Sequence, residues 1–116
     1  MNSEKQFYER VCAVCKRNVY YDMSGKPYIQ INPNPLGIQL RFRRFGANEL
    51  PYADIYISSQ DRWLLLFWYS QPTFKPGCYY HLQENTNIQG PDGIIDHKFS
   101  KTLTGCLNAL ERLLNE

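Results

Sequence analysis

Three groups of residues are of types and spacings that could do chemistry, and the first is a pair of cysteines. Cys12-Ala-Val-Cys15 has the C-x-x-C spacing of zinc and redox sites. A zinc site of that kind needs a second such pair, or paired histidines, to complete four ligands. Here Cys78, His81, His97 and Cys106 are scattered singly. A thioredoxin-like pair follows a strand and opens a helix, and no strand is predicted ahead of Cys12. The pair instead continues a helical pattern. Both cysteines therefore read as small apolar residues on a buried stripe, and no metal or other cofactor is expected.

The second group, Leu40-Arg-Phe-Arg-Arg-Phe45, interleaves basic and aromatic side chains. Sheets that bind single-stranded nucleic acid combine the same types, aromatics stacking on bases while arginines meet phosphates. Strand alternation sets Phe42 against Arg41 and Arg43, so stacking would have to come from Tyr52, Tyr56, Tyr79 or Trp63 on neighbouring strands. The bland alternative is that the arginines keep a sheet face soluble or pair with Asp54 and Glu49.

The third group is His81, Asp92, Asp96 and His97, the plausible acid–base residues. Nothing in the sequence brings them into one cleft. There is no glycine-rich phosphate loop, no G-x-S-x-G elbow and no H-E-x-x-H. Gly90-Pro-Asp-Gly93 reads as a turn. A small enzyme with a His/Asp site stays as the third possibility, and no catalytic residue is assigned.

The elements that must position these residues follow from periodicity. From Ser3 to about Arg17, Phe7, Val11, Val14 and Cys15 recur at helical spacing, with Ser3 and Gln6 as a capping box. Asp22-Met-Ser-Gly25 breaks the pattern. Tyr28–Asn32 alternates as a strand, ended by Pro33-Asn-Pro35. Leu36–Arg43 and Tyr52–Ser58 alternate more clearly, with Leu36, Ile38, Leu40, Phe42, Ala53, Ile55 and Ile57 facing inward. Arg62-Trp-Leu-Leu-Leu-Phe-Trp-Tyr69 is the most apolar and aromatic run and is flanked by turn residues. It reads as a strand apolar on both faces and therefore covered on both. Which face the helices bury is left open. Cys78–Gln83 is the fifth strand, Glu84–Gly93 a polar loop, and Ile94-Ile95 a short extra strand. A last helix, capped by Ser100, carries Leu103, Cys106, Leu107, Leu110, Leu113 and Leu114 as an apolar stripe. Gly105 should weaken it by about 1 kcal/mol relative to alanine.

The expected fold is thus α+β in a single domain, residues 1–116: an antiparallel five-stranded meander with N- and C-terminal helices packed on one face, in two layers. The other face should display Gln30, Gln39, Arg41, Arg43, Tyr52, Asp54, Tyr56, Tyr79 and His81, joined by one side of the Trp63 strand. The aromatic content, 15%, is dominated by nine tyrosines, residues suited to surfaces half wet and half buried. A net charge of +2 is too small for bulk attraction to nucleic acid or membrane and excludes an acidic mimic of DNA. No apolar run approaches the ~20 residues that span a bilayer, and the N-terminus lacks signal-peptide character. The expectation is a cytoplasmic protein with reduced thiols.

Together these features point to a non-catalytic protein-binding module of the adaptor, chaperone-like or inhibitor kind. Its binding residues would be Arg41, Arg43, Tyr52, Asp54, Tyr56, Trp63, Tyr79 and His81. The partner would be another protein or, in a homodimer, a second copy of the chain. Single-stranded nucleic acid binding through the same face is the runner-up.

Overall fold

The computed structural model describes residues 3–29, 37–72, 75–86 and 91–116. The chain opens with helix α1 (Glu4–Val14) and a hairpin of two short strands, β1 (Val19–Tyr21) and β2 (Pro27–Ile29). The main sheet follows: β3 (Ile38–Arg43), β4 (Tyr52–Ile57), β5 (Arg62–Trp68), β6 (Tyr80–Asn85) and β7 (Ile94–Ser100). Helix α2 (Leu103–Leu114) closes the chain. The five long strands pair antiparallel in chain order, so the sheet is a meander with β5 in the middle. The class is α+β, as expected. No helix among the described residues is long and apolar enough to cross a membrane.

Both helices start on side-chain caps. The Ser3 hydroxyl accepts from the Gln6 amide while the Gln6 side chain accepts from the Ser3 amide, the reciprocal capping box. Helix α2 is capped by Thr102, whose hydroxyl accepts from the Gly105 amide. Ser100, the expected cap, is instead the last residue of β7, and its hydroxyl accepts from the Thr102 amide.

One core lies between the helices and the sheet. Phe7 and Val11 from α1 and Leu103, Cys106, Leu107 and Leu110 from α2 close over Ile38, Leu40, Ala53, Ile55, Leu64, Leu66, Tyr80 and Leu82. Strand alternation sorts these residues. In the central strand it sends Leu64 and Leu66 to the helices and leaves Trp63, Leu65, Phe67 and Tyr69 on the outer face, which settles what that doubly apolar run left open. Cys12 and Cys15 are core residues beside Val11. At the β3–β4 end of the sheet, a side chain at Gly37 (φ 65°) would be strained. A Cβ there would sit 2.3 Å from the Ser58 hydroxyl, which itself donates to the Gly37 carbonyl.

Two expectations about the sheet are corrected. The strand read at Tyr28–Asn32 does not join the main sheet. Its described part is β2, which pairs with β1 (Val19 with Ile29, Tyr20 with Tyr28), and Gln30, assigned to the outer face, falls outside the described residues. The Asp22–Gly25 break is the turn of that hairpin, where the Asp22 carboxylate accepts from the Ser24 amide and hydroxyl and the Lys26 amide. The fifth strand of the sheet is β7, seven residues long rather than two. A bulge hides it: Leu82 pairs with Lys98 and Gln83 with Asp96, leaving His97 as the extra residue.

Candidate functional site

The register of the sheet sets outer-face residues into rows across the strands. One row runs Gln39–Tyr56–Trp63–Asn85–Ile94, the next Arg41–Asp54–Leu65–Gln83–Asp96. In the third, Arg43 pairs with Tyr52, the Tyr52 ring lies 5.3 Å from Phe67, and Phe67 pairs with His81 and His81 with Phe99. The expected set Arg41, Arg43, Tyr52, Asp54, Tyr56 and Trp63 thus shares one contiguous surface.

A groove of about 350 Å³ opens in the middle of it, floored by Leu65 and Phe67 and walled by Phe45, Tyr52 and Trp63. Leu65 and Phe67 are each only 8% exposed although they lie on the face away from the helices. Around Phe67 the cover includes the protein's own rings. Phe45, from the segment joining β3 to β4, stacks on Tyr52 at 4.7 Å and on Phe67 at 5.9 Å, and Tyr69 also stacks on Phe67 at 5.9 Å. Phe45 itself stays 71% exposed and Trp63 44%. Sequence reasoning missed Phe45 as part of the site. Its only signal is position: it follows the strand by two residues, so the chain can fold back over Tyr52.

Electrostatics at the rim centre on Asp54. One carboxylate oxygen accepts from Arg43 Nε at 3.1 Å, the other from the indole N–H of Trp63. The Arg43–Asp54 pairing that the bland alternative named is present, and the same carboxylate holds the Trp63 indole. Arg41 stands opposite Asp54 in the register but makes no ion pair among the described residues. Tyr56 donates to Asp61 at 2.8 Å, and that bond raises the Tyr56 hydroxyl above its ordinary range.

Two expected residues behave differently. Tyr79 precedes β6 and lines a separate shallow groove with Arg10, Trp68 and Lys101 near the start of α2. His81 is on the outer face but only 3% exposed. Its ring lies 4.1 Å from Phe99 at an interplanar angle of 6°, and its Nε2 is 2.8 Å from Asp96 Oδ1. Phe99 belongs to the part of β7 that the sequence did not reveal, which is why an exposed histidine was expected.

The acid–base residues are divided by the β7 bulge. Asp96 meets His81 on the outer face. His97 meets Glu84 at 2.8 Å, and Glu84 also pairs with Arg62, which reaches Glu116 at the end of α2. Burial would raise the Glu84 carboxyl, but hydrogen bonds from Arg62 and His97 outweigh it and hold the group below its ordinary value. This cluster fastens the end of α2 to the sheet. A general base needs its nitrogen within reach of substrate, whereas His81 Nε2 is committed to Asp96 in a nearly closed aromatic stack.

Among the described residues no three His, Cys, Asp or Glu side chains come together as metal ligands. Desolvation pushes the thiols of Cys12, Cys15 and Cys106 up to about 12, so they are poor nucleophiles. A larger open cleft, about 1110 Å³, lies between the start of α1 and the β1–β2 hairpin. Most of its cations are engaged: Arg44 with Glu4, the Tyr8 hydroxyl and the Glu49 carbonyl, and Lys5 over the Tyr21 ring. Compared with protein-family models, curated proteins and solved structures, the chain matches none of them.

Proposed function

We propose that this chain is a non-catalytic protein-binding module, of the adaptor, chaperone-like or inhibitor kind, working through the aromatic groove of the outer sheet face. The observation that carries the reading is the pair of rings at the groove, Phe45 and Trp63, both exposed and both already held. Phe45 is held by stacking on Tyr52 and Phe67, and Trp63 by its bond to Asp54. Rings fixed before a partner arrives lose little entropy on binding. Tryptophan, tyrosine and arginine around a small desolvated pocket are the types that dominate interface energetics. The groove has room for one or two side chains of a partner, with Arg43 and Asp54 as polar contacts at its rim.

Single-stranded nucleic acid is the second reading, favoured by an exposed Trp63 two strands from an Arg41 that makes no ion pair among the described residues. Asp54 weighs against it, because its charge sits between Arg43 and Trp63, where a phosphate would have to pass.

The test is capture of partners from the native host with wild type and with the Phe45→Ala/Trp63→Ala variant, beside titrations of labelled oligonucleotides at low and high salt. The protein-binding reading expects a partner bound by wild type, lost by the variant and retained as salt rises. Oligonucleotide binding that falls steeply with salt would favour the second reading. Equal capture by wild type and variant would refute the site.

A further inference from the structure

We infer that the partner this face accepts is a second copy of the chain, docked face to face about a twofold axis that runs along β5. The inference rests on the outer face being an interface, and it names the occupant.

It comes from the central row, Arg41–Asp54–Leu65–Gln83–Asp96. Asp54 is neutralised within the row's neighbourhood by Arg43, so the row has two outward charges, one at each end. Arg41 on edge strand β3 is exposed and makes no ion pair among the described residues. Asp96 on edge strand β7 is 51% exposed in its side chain, with one oxygen on His81. Between them, on the middle strand, lies apolar Leu65, with Trp63 beside it on the same strand face.

Two sheets packed face to face have two simple twofold arrangements. An axis across the strands lays β3 on the partner's β3, setting Arg41 against the partner's Arg41 and Asp96 against the partner's Asp96. An axis along β5 lays β3 on the partner's β7. Arg41 then meets the partner's Asp96, the symmetry repeats that contact at the other edge, and exposed Trp63 meets the partner's Trp63 above the Leu65 floor. The first arrangement gives two like-charge contacts and the second two opposite-charge contacts around an apolar middle. Isologous interfaces are self-complementary in this sense. Aligned sheets pack about 10 Å apart, a gap that the exposed rings of Trp63 and Phe45 fill from both sides while arginine and aspartate reach each other at the edges. Edge-to-edge pairing is the competing route, and β7 discourages it through its bulge at His97 and its Lys98.

The experiment is sedimentation velocity over a wide concentration series with wild type, Arg41→Glu, Asp96→Arg and an equimolar mixture of the two variants, with circular dichroism to check folding. Wild type should dimerise with concentration. Each single reversal creates two like-charge contacts per homodimer and should weaken self-association by about tenfold or more. The mixture should recover it, because a heterodimer of the two variants has two opposite-charge contacts. If Asp96→Arg does not fold, Asp96→Asn keeps an oxygen for His81, and its dimer should be weaker than wild type at low salt but not at high salt.

A wild type that stays monomeric throughout, a mixture no tighter than its components, or an Asp96→Asn protein that dimerises like wild type at low salt would overturn the inference. So would an Arg41→Glu protein that dimerises as tightly as wild type, the signature of the axis across the strands, where a like-charge pair is merely exchanged for another. A monomeric wild type that still captures another protein in a Phe45- and Trp63-dependent way would remove the second copy and leave the binding face standing. Capture and self-association both indifferent to Phe45 and Trp63 would remove the face itself.

Discussion

His81 and Asp96 meet across β6 and β7, with Nε2 of the imidazole 2.8 Å from Oδ1 of the carboxylate, although in sequence Asp96 adjoins the other histidine, His97. The bulge makes the choice. By adding one residue to β7 it turns His97 toward Glu84 on the helix side and leaves Asp96 diagonal to His81 on the outer side. The Phe99 ring then closes over the imidazole.

That enclosure makes stability depend on pH. Loss of solvent lowers the His81 pKa from its ordinary 6.5, and the bond and charge of Asp96 oppose the shift without reversing it. Between the two values the unfolded chain binds the proton and the folded chain does not, so acid favours unfolding there. The histidine's contribution is complete above about pH 6.5 and is lost as pH falls from there through the lower folded value. His81→Phe keeps the stack and removes the titration. Urea midpoints of wild type should fall faster than those of His81→Phe as pH drops below 6.5. Parallel curves would show that His81 titrates alike in both states.

Leu110 tests the helix–sheet layer. It is 0% exposed in the middle of the α2 stripe, so Leu110→Ala should cost on the order of 2–5 kcal/mol by denaturant titration. A negligible effect would mean that α2 does not pack on the sheet.

Gly105 reverses its sequence-based expectation. Helix propensity alone would have Gly105→Ala stabilise α2 by about 1 kcal/mol. A Cβ at that position, however, would lie 2.1 Å from the Ser100 hydroxyl and 2.9 Å from its Cβ, and that hydroxyl accepts the Thr102 amide just before the helix. Gly105→Ala should therefore lower the melting temperature, and adding Ser100→Gly should recover part of the loss. A stabilised single variant would show that β7 yields at no cost.

The cysteines should divide by exposure. Cys12, Cys15 and Cys106 are buried with thiols near 12, whereas Cys78 is half-buried. Thiolate is the reactive form, so a disulfide reagent at mildly alkaline pH should label Cys78 in the native protein and the other three only in denaturant. Rapid native labelling of Cys12 or Cys15 would mean that the end of α1 opens readily. Cys106→Ser should cost about 1–3 kcal/mol by placing a hydroxyl in a dry stripe.

What could be read from the sequence depended on how cleanly each segment alternated. In β3 and β4 one face is apolar and the other polar, so the grouping of Arg41 and Arg43 with Tyr52, Asp54 and Tyr56 was legible. In β5 both faces are apolar, and only pairing decides: Leu64 and Leu66 lie opposite Ile55 and Ala53, which face the helices. Strand β1 has three residues, too few for a period to show, so the hairpin partner of the strand read at Tyr28 stayed hidden. In β7 the bulge breaks the alternation and the run Asp96-His97-Lys98 disguises it as loop. The His81–Asp96 pair was illegible for the same reason, since it depends on a register shift that residue types do not encode.

The outer face gives the most discriminating prediction, because its exposed and buried rings should respond differently to truncation. Phe45 and Trp63 are exposed and lie outside the buried core, so each alanine variant should cost about 1 kcal/mol of stability or less. The expected losses are the cover over Phe67 and the indole bond to Asp54. If these rings anchor a partner, each truncation should cost more than about 2 kcal/mol of binding. Phe67→Ala removes the floor on which Phe45 rests, and as a buried ring it should cost about 3–5 kcal/mol of folding energy. Denaturant titration and binding measured on the same three variants separate the cases. Anchors show binding loss far above stability loss at Phe45 and Trp63, with stability loss dominant at Phe67. If Phe45→Ala and Trp63→Ala destabilise the domain as much as Phe67→Ala does, the aromatic layer is a second core rather than a binding surface. The outer face would then be closed to partners.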